Sequence, residues 1–321
     1  MPARTVIPAL LILLIAMAVL SLGFGSVALP FSDLAAGLLA PGRSLAADIL
    51  WEYRLPRMLF AFLIGAMLAM AGALMQTLLR NPLAEPYILG TSGGAAAGVL
   101  GAFLLSLPAW LQLPAAFGGA IVSTLLLFLF SGFLKSRDPN RLLLTGIVLT
   151  TGWGALITFL LTLSPTSRIP GMLFWLIGDL NEQASLLVPG VTLLLAAALL
   201  LLLARPLDLL LLGERQAESV GVDVANLRLL LLAVAVILTA VAVTYAGPIG
   251  FVGLVTPHIV RLMAGSGHRL LLPASALLGG SLLIGADLLS RTLIAPRMMP
   301  VGVFTALLGV PLFLYLIRRQ S

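Results

Sequence analysis

Uninterrupted apolar runs constrain this chain more than any other feature. Ten of them fill most of its length, near residues 6–29, 57–79, 87–107, 113–134, 142–163, 186–204, 228–246, 249–264, 270–289 and 301–317. A helix needs about 20 apolar residues to cross the hydrocarbon layer of a bilayer. Barrel strands would alternate apolar and polar residues, whereas these runs are continuous, so spanning segments must be helical. With 60% hydrophobic and 9% charged residues, the chain has too few polar side chains to cover a water-soluble surface. The expected fold is all-α and polytopic, about ten transmembrane helices in a single transmembrane domain over 1–321. The first run follows Arg4 and is longer than a signal-peptide core, so it reads as a retained span. The run at 249–264 is short and contains Pro257. Residues 164–185, with Pro165, Pro170, Gly171 and Gly178, read as an irregular or short-helix connection.

Ten spans put both termini on one side, and charge selects the side. With the N-terminus in the cytoplasm, 12 basic residues face in: Arg4, Arg80, Lys135, Arg137, Arg141, Arg205, Arg215, Arg228, Arg261, Arg269, Arg318 and Arg319. The 6 that face out are Arg43, Arg54, Arg57, Arg168, Arg291 and Arg297. This is the bias of the positive-inside rule. Arg54, Arg57, Arg291 and Arg297 sit at outward span ends. They either snorkel to lipid phosphates or form a basic rim for an acidic soluble partner. The net charge of +6 comes without interleaved aromatics, so nucleic-acid binding is not indicated.

Several chemistries are excluded or poorly supported. No G-x-x-x-x-G-K-[ST] motif occurs, and the one lysine, Lys135, has no glycine before it, so the chain carries no P-loop of its own. Gly90, Gly93, Gly94 and Gly98 lie in an apolar stretch without a lysine, where small-residue spacing serves close helix packing. Cysteine is absent, which rules out disulfides and thiolate metal sites. His258 and His268 lack the pattern of a metal site or a triad, and structural roles near the inner surface are expected for both. An ion-coupled secondary transporter is the alternative reading, and it requires acidic residues at mid-membrane depth. Of 12 acids only Asp287 falls inside an apolar run, and Arg291 four residues on supplies a helix-face partner. No cofactor is called for.

One loop departs from this pattern. Residues 205–228 hold Pro206, then Leu209 to Leu212, then Gly213-Glu214-Arg215-Gln216-Ala217-Glu218, then Val220 to Val224. Gly213 and Gly221 punctuate two short helices, with Glu214 to Ser219 a good helix former. Apolar residues rimmed by charge at the water's edge indicate a protein contact.

Four blocks carry a family resemblance. They are Arg80-Asn81-Pro82-Leu83-Ala84-Glu85-Pro86 running on to Gly90 and Gly94; Leu212-Gly213-Glu214-x-x-Ala217-x-x-x-Gly221; Gly247-Pro248-Ile249-Gly250-Phe251-Val252-Gly253 running on to Pro257, His258 and Arg261; and Gly302 to Phe313. In this order they resemble the permeases of vitamin B12, iron-siderophore and haem ABC importers, the FecCD family of type II ABC importers. Gly267 stands where the family pattern Asp-His-Arg has its acid. The resemblance implies a homodimer in the bacterial cytoplasmic membrane, two cytoplasmic ATPase subunits and one periplasmic substrate-binding protein. It implies that Leu212, Gly213, Glu214, Arg215, Ala217, Glu218 and Gly221 couple to the ATPase. It also places Arg54, Arg57 and Arg291 where B12 permeases meet glutamates of the binding protein, while Arg297 has no such counterpart. The implied cargo is a bulky metal chelate, with specificity in the binding protein.

Overall fold

The computed structural model describes residues 3–25, 36–37, 42, 44–132, 139–180, 185–295 and 297–320. Arg43, Lys135 and Arg137 of the charge tally, and the acids Asp33, Asp138 and Glu182, lie outside the described residues. Thirteen α-helices of six residues or more occur among the described residues. They are α1 (Ala3–Gly23), α2 (Leu55–Leu78), α3 (Thr91–Leu104), α4 (Ala109–Ser131), α5 (Pro139–Leu163), α6 (Ile169–Ile177), α7 (Leu187–Leu202), α8 (Ala204–Leu212), α9 (Glu214–Ser219), α10 (Val224–Ala246), α11 (Val252–Ala264), α12 (His268–Thr292) and α13 (Val301–Gln320). The fold is the expected all-helical, polytopic one, and a helix stands at each of the ten expected runs.

The spans are less uniform than the runs implied. By length and composition six helices can cross a bilayer, or seven if α7 and α8 count as one bent span. Helices α3, α11 and the apolar part of α13 are shorter. The second span starts earlier than 57. A helical turn at Leu45–Asp48 runs through a π-helical stretch, Ile49–Arg54, straight into α2. Asp48 and Glu52, outside the expected apolar runs, are therefore helical. The run expected at 87–107 is broken by a 3-10 turn at Pro86–Leu89 and by Gly90 at φ +76°, where a side chain would be strained. The connection at 164–185 contains the short helix α6, as its prolines and glycines implied.

Helix α2 is the axis of the bundle. It is almost wholly buried, and α10, α11 and α12 pack around it, while α1, α4 and α5 lie outside with apolar faces exposed. With lipid around the bundle, close approach of backbones replaces the hydrophobic drive. Gly65 of α2 meets Gly279 of α12, where an added Cβ would stand 2.3 Å from the Gly279 carbonyl oxygen. Gly72 meets Gly253 of α11 still more closely. Helices α3 and α4 cross at Gly94 and Gly119 in the same way, so the glycines of the 90–98 block serve packing.

Helix α8 breaks from α7 by a 60° bend at Leu203. Pro206 lies in the first turn of α8, not at the end of α7. A proline there forfeits no helical bond, because the first N–H groups of a helix have no partner anyway.

Candidate functional site

Two polar clusters mark the two ends of α2. At its N-terminal end the centre is Asp287, a fully buried carboxylate on α12. Arg57 Nε donates to Oδ1 at 2.9 Å, and Arg291 Nε donates to Oδ2 at 2.9 Å. Arg291 also donates to Ser21 Oγ of α1 at 2.9 Å. Arg54 Nη1 donates to the carbonyls of Leu22 and Gly23 at 2.6 and 3.0 Å, which ties off the open end of α1. The helix-face pair of Asp287 and Arg291 was legible in the sequence, and Arg57 joins it from another helix. The structure does gather Arg54, Arg57 and Arg291, but as buried groups turned onto partners within the chain and not as an exposed rim. A buried carboxylate needs such partners, because its own desolvation is costly. A cavity of about 1020 Å³ opens at this end, walled in part by Tyr53, Arg57, Phe103, Trp175, Asp179 and Tyr245.

At the C-terminal end of α2 the sequence block 80–90 folds into a tight connection. Arg80 takes φ +48° and ends the helix. Asn81 Oδ1 accepts from the Leu83 N–H at 2.9 Å, and the Ala84 N–H donates to the Asn81 carbonyl at 3.0 Å. These bonds hold Pro82 and the exposed Leu83 in a turn, with Ala84 buried and Pro86 opening the 3-10 turn. Glu85 accepts from the Phe251 N–H at 2.9 Å, and the Tyr87 hydroxyl bonds both ways with the backbone of Ile249 at 2.9 Å. Burial pushes the Glu85 carboxyl above its ordinary range, and the Phe251 N–H partly offsets that. The first and third sequence blocks therefore form one assembly. The Glu85 bond braces Phe251, whose φ of +69° is strained for a non-glycine residue. Gly247 at φ +68° lets the chain turn nearby, Gly250 lies beside the Glu85 carboxylate, and Gly253 packs against Pro86.

Helix α11 is then stitched to α2. Gln76 Nε2 donates to the Leu254 carbonyl at 3.0 Å, and Arg261 donates to Gln76 Oε1 and, at 3.3 Å, to Thr77 Oγ1. Pro257 lies inside α11, and His258 stacks edge-on against Phe313 of α13 with ring centroids 6.2 Å apart.

The loop at 205–228 forms two short helices with Gly213 between them at φ +131°, and Gly221 follows at φ +88°. Its apolar residues divide. Leu207, Leu210, Ala217 and Val224 are buried, whereas Leu211, Leu212 and Val220 are exposed. The exposed apolar edge is thus smaller than the runs Leu209–Leu212 and Val220–Val224. Arg215, Gln216, Glu218 and Ser219 surround it. Glu214 points back to the bundle. It accepts from the buried Arg228 of α10 at 3.0 Å and from Arg80 at 3.3 Å.

Sequence reasoning expected a structural role for His268 but missed its pairing with Asp208 and Thr77. Asp208 Oδ1 accepts from the His268 backbone N–H at 2.8 Å and from Nδ1 at 2.7 Å. The fully buried ring reaches Thr77 Oγ1 with Nε2 at 3.0 Å. No spacing rule joins residues 60 and 191 positions apart.

Comparison with known proteins gives the same answer as the four blocks. The profile of the FecCD transport family matches residues 12–319. The chain is 41% identical to the hemin transport system permease protein HmuU of Yersinia pestis, over 99% of this chain and 96% of that one. It is 41% identical to the Fe(3+) dicitrate transport system permease protein FecD of Escherichia coli, covering 87% and 91%. It is also 41% identical to the cobalamin import system permease protein BtuC of Halobacterium salinarum, covering 86% and 75%. A metal-chelate type ABC transporter in an inward-facing conformation superposes with a TM-score of 0.85 at 32% identity, covering 98% of this chain and 99% of that one. With the same fold at 32% identity and a family match over nearly its whole length, this chain belongs to the FecCD transport family, the permeases of ABC importers.

Proposed function

We propose that this chain is the membrane-spanning subunit of an ATP-driven importer that carries a bulky metal chelate inward across the bacterial cytoplasmic membrane. It works as a homodimer, with two ATPase subunits on the α8–α9 side and one periplasmic binding protein on the side of Asp287. Both termini lie in the cytoplasm. The chain is a permease and not an enzyme. A separate subunit hydrolyses ATP.

One observation carries the reading. Leu211 and Leu212 stand exposed on α8 and Val220 just past α9, and Asp208 and Glu214 anchor these two helices to the bundle. Exposed apolar residues on a firmly held platform are what a partner subunit can grip and push. At the other end, the cavity of about 1020 Å³ has aromatic and charged walls and is large enough for a drug-sized ligand or larger. Arg54, Arg57 and Arg291, buried on partners within the chain, brace from beneath the face on which the binding protein docks. Ion-coupled transport is disfavoured, because two arginines already occupy Asp287.

A mild-detergent pull-down of the tagged chain from its host tests the reading, with and without Leu212→Glu. The expected result is recovery of a P-loop ATPase and a periplasmic binding protein with the unmodified chain, and loss of the ATPase with the variant. Leu212 is exposed, so the variant leaves the fold intact. If the unmodified chain brings down no ATPase even after crosslinking, the importer reading fails.

A further inference from the structure

Antiparallel helices α2 and α12 are pinned together at three levels. Arg57 and Asp287 join them at one end, Gly65 and Gly279 touch near the middle, and Thr77 and His268 join them at the other end. From Arg57 to Thr77 the helix climbs about 30 Å at 1.5 Å per residue. A pair pinned so widely behaves as one rigid strut. Its end next to the short helices is the one that Asp208 holds.

Asp208 belongs to α8, which the 60° bend separates from the span before it. It lies three and four residues before Leu211 and Leu212, so a helix turn links the acid to the exposed apolar edge. Its carboxylate caps the first N–H of α12 and takes the Nδ1 proton of His268 as well. The Thr77 hydroxyl, which also donates to the Ala73 carbonyl at 2.9 Å, lies 3.0 Å from Nε2, so both ring nitrogens meet a polar partner in full burial. Arg261 and Gln76 extend the link to α11.

We infer that His268 is a positioning residue. Through it a displacement of α8 reaches the α2–α12 strut, and along the strut it reaches the buried centre of Arg57, Asp287 and Arg291 about a bilayer's thickness away. The link runs both ways, since coupling between two sites is reciprocal. Docking at the Asp287 end is thereby sensed at α8. This inference rests on the importer reading above, in which α8 and α9 receive the ATPase.

The test uses the importer purified on the tagged chain, with His268→Ala, His268→Gln and Thr77→Val. None of these residues lies on the exposed edge, so the copurified ATPase subunit is retained. The binding-protein-stimulated part of ATP hydrolysis is expected to fall about tenfold in His268→Ala and Thr77→Val, within the ~5–150-fold range of coupling between sites. His268→Gln, which keeps an amide able to bond on both sides, restores much of it. The chain has no cysteine, so spin labels at Leu212→Cys on α8 and Leu59→Cys on α2 report the link without any partner. Their distance distribution is narrow with His268 present and broadens with His268→Ala. Undiminished stimulation in Thr77→Val overturns the inference, and so does an unchanged distribution. If His268→Ala fails to insert, Thr77→Val decides. Failure of the unmodified chain to bind an ATPase sinks the importer reading instead, and the label distance still judges the link.

Discussion

Arg57 Nε donates to Asp287 Oδ1 at 2.9 Å, joining residues 230 positions apart in the chain. The pair fastens α2 to α12 at one end of the bundle. The Thr77 hydroxyl and the His268 ring fasten the same two helices at the other end. Between these two bonds the helices share a glycine crossing, so close packing and buried polar contacts occur together on one helix pair. In the proposed importer, the platform for the ATPase and the face for the binding protein are thus the two ends of one element.

Removing Asp287 leaves Arg57 and Arg291 without their carboxylate in a buried site. Breaking a buried pair from one side typically costs about 3–5 kcal/mol. Asp287→Ala is expected to lower the thermal denaturation temperature of the purified chain sharply, and Asp287→Asn by less. An unchanged temperature for Asp287→Ala would show that water reaches this centre.

Charge reversal at the docking end needs care for the same reason. Arg57→Glu places a second acid against Asp287, so poor insertion is the expected outcome, not a clean loss of docking. Arg54 donates to backbone carbonyls instead. Arg54→Gln is expected to insert and to weaken crosslinking of the binding protein. Normal crosslinking and uptake in that variant would remove Arg54 from the docking face.

Glu85 braces the strained Phe251 through one hydrogen bond. Leaving that buried N–H unpaired costs about 1–3 kcal/mol, so Glu85→Ala is expected to lose stability while Glu85→Gln, which keeps an acceptor, loses little. Burial raises the Glu85 carboxyl above its ordinary value of 4.5. The folded chain then holds the proton more tightly than the unfolded chain. Stability from this group is full below that value and declines as pH rises through the raised one. Glu85→Gln should remove this component from a pH series of thermal denaturation. A series with the same slope in both proteins would contradict it.

The helix crossings predict a contrast between glycines. A Cβ at Gly72 would fall within bonding distance of the Gly253 carbonyl, so Gly72→Ala forces α2 and α11 apart, with overpacking costs of about 1–3 kcal/mol or more. Gly101 on α3 faces open space, and Gly101→Ala is expected to leave expression unchanged or improve it. Equal yields for the two variants would show that the crossing is looser than the structure places it.

Much of the site was legible in the sequence because its signals are local. Gly213 separates the two short helices and Gly221 follows the second, both at positive φ that favours glycine. The pairing of Asp287 with Arg291 follows from one helical turn. Gly94 and Gly98 sit at the spacing that lets helices approach. The break at Leu203 falls within a residue of the end of the run at 204, and Pro206 lies beyond it, because a proline is as acceptable in the first turn of a helix as it is unwelcome inside one. The span expected from 87 starts at Thr91, because the apolar character of Pro86 to Leu89 hid a 3-10 turn.

By itself the sequence determined that this is an all-helical membrane permease, where its helices lie, and to which family it belongs. Apolar length and short motifs are properties of the chain alone. Only the tertiary structure decided that Arg54, Arg57 and Arg291 are buried, that Glu214 turns inward, and that Asp208, His268 and Thr77 form one link. Those facts depend on how each helix is rotated about its axis. That rotation is set by glycine contacts and buried polar partners from distant parts of the chain, which no window of residues along the sequence contains.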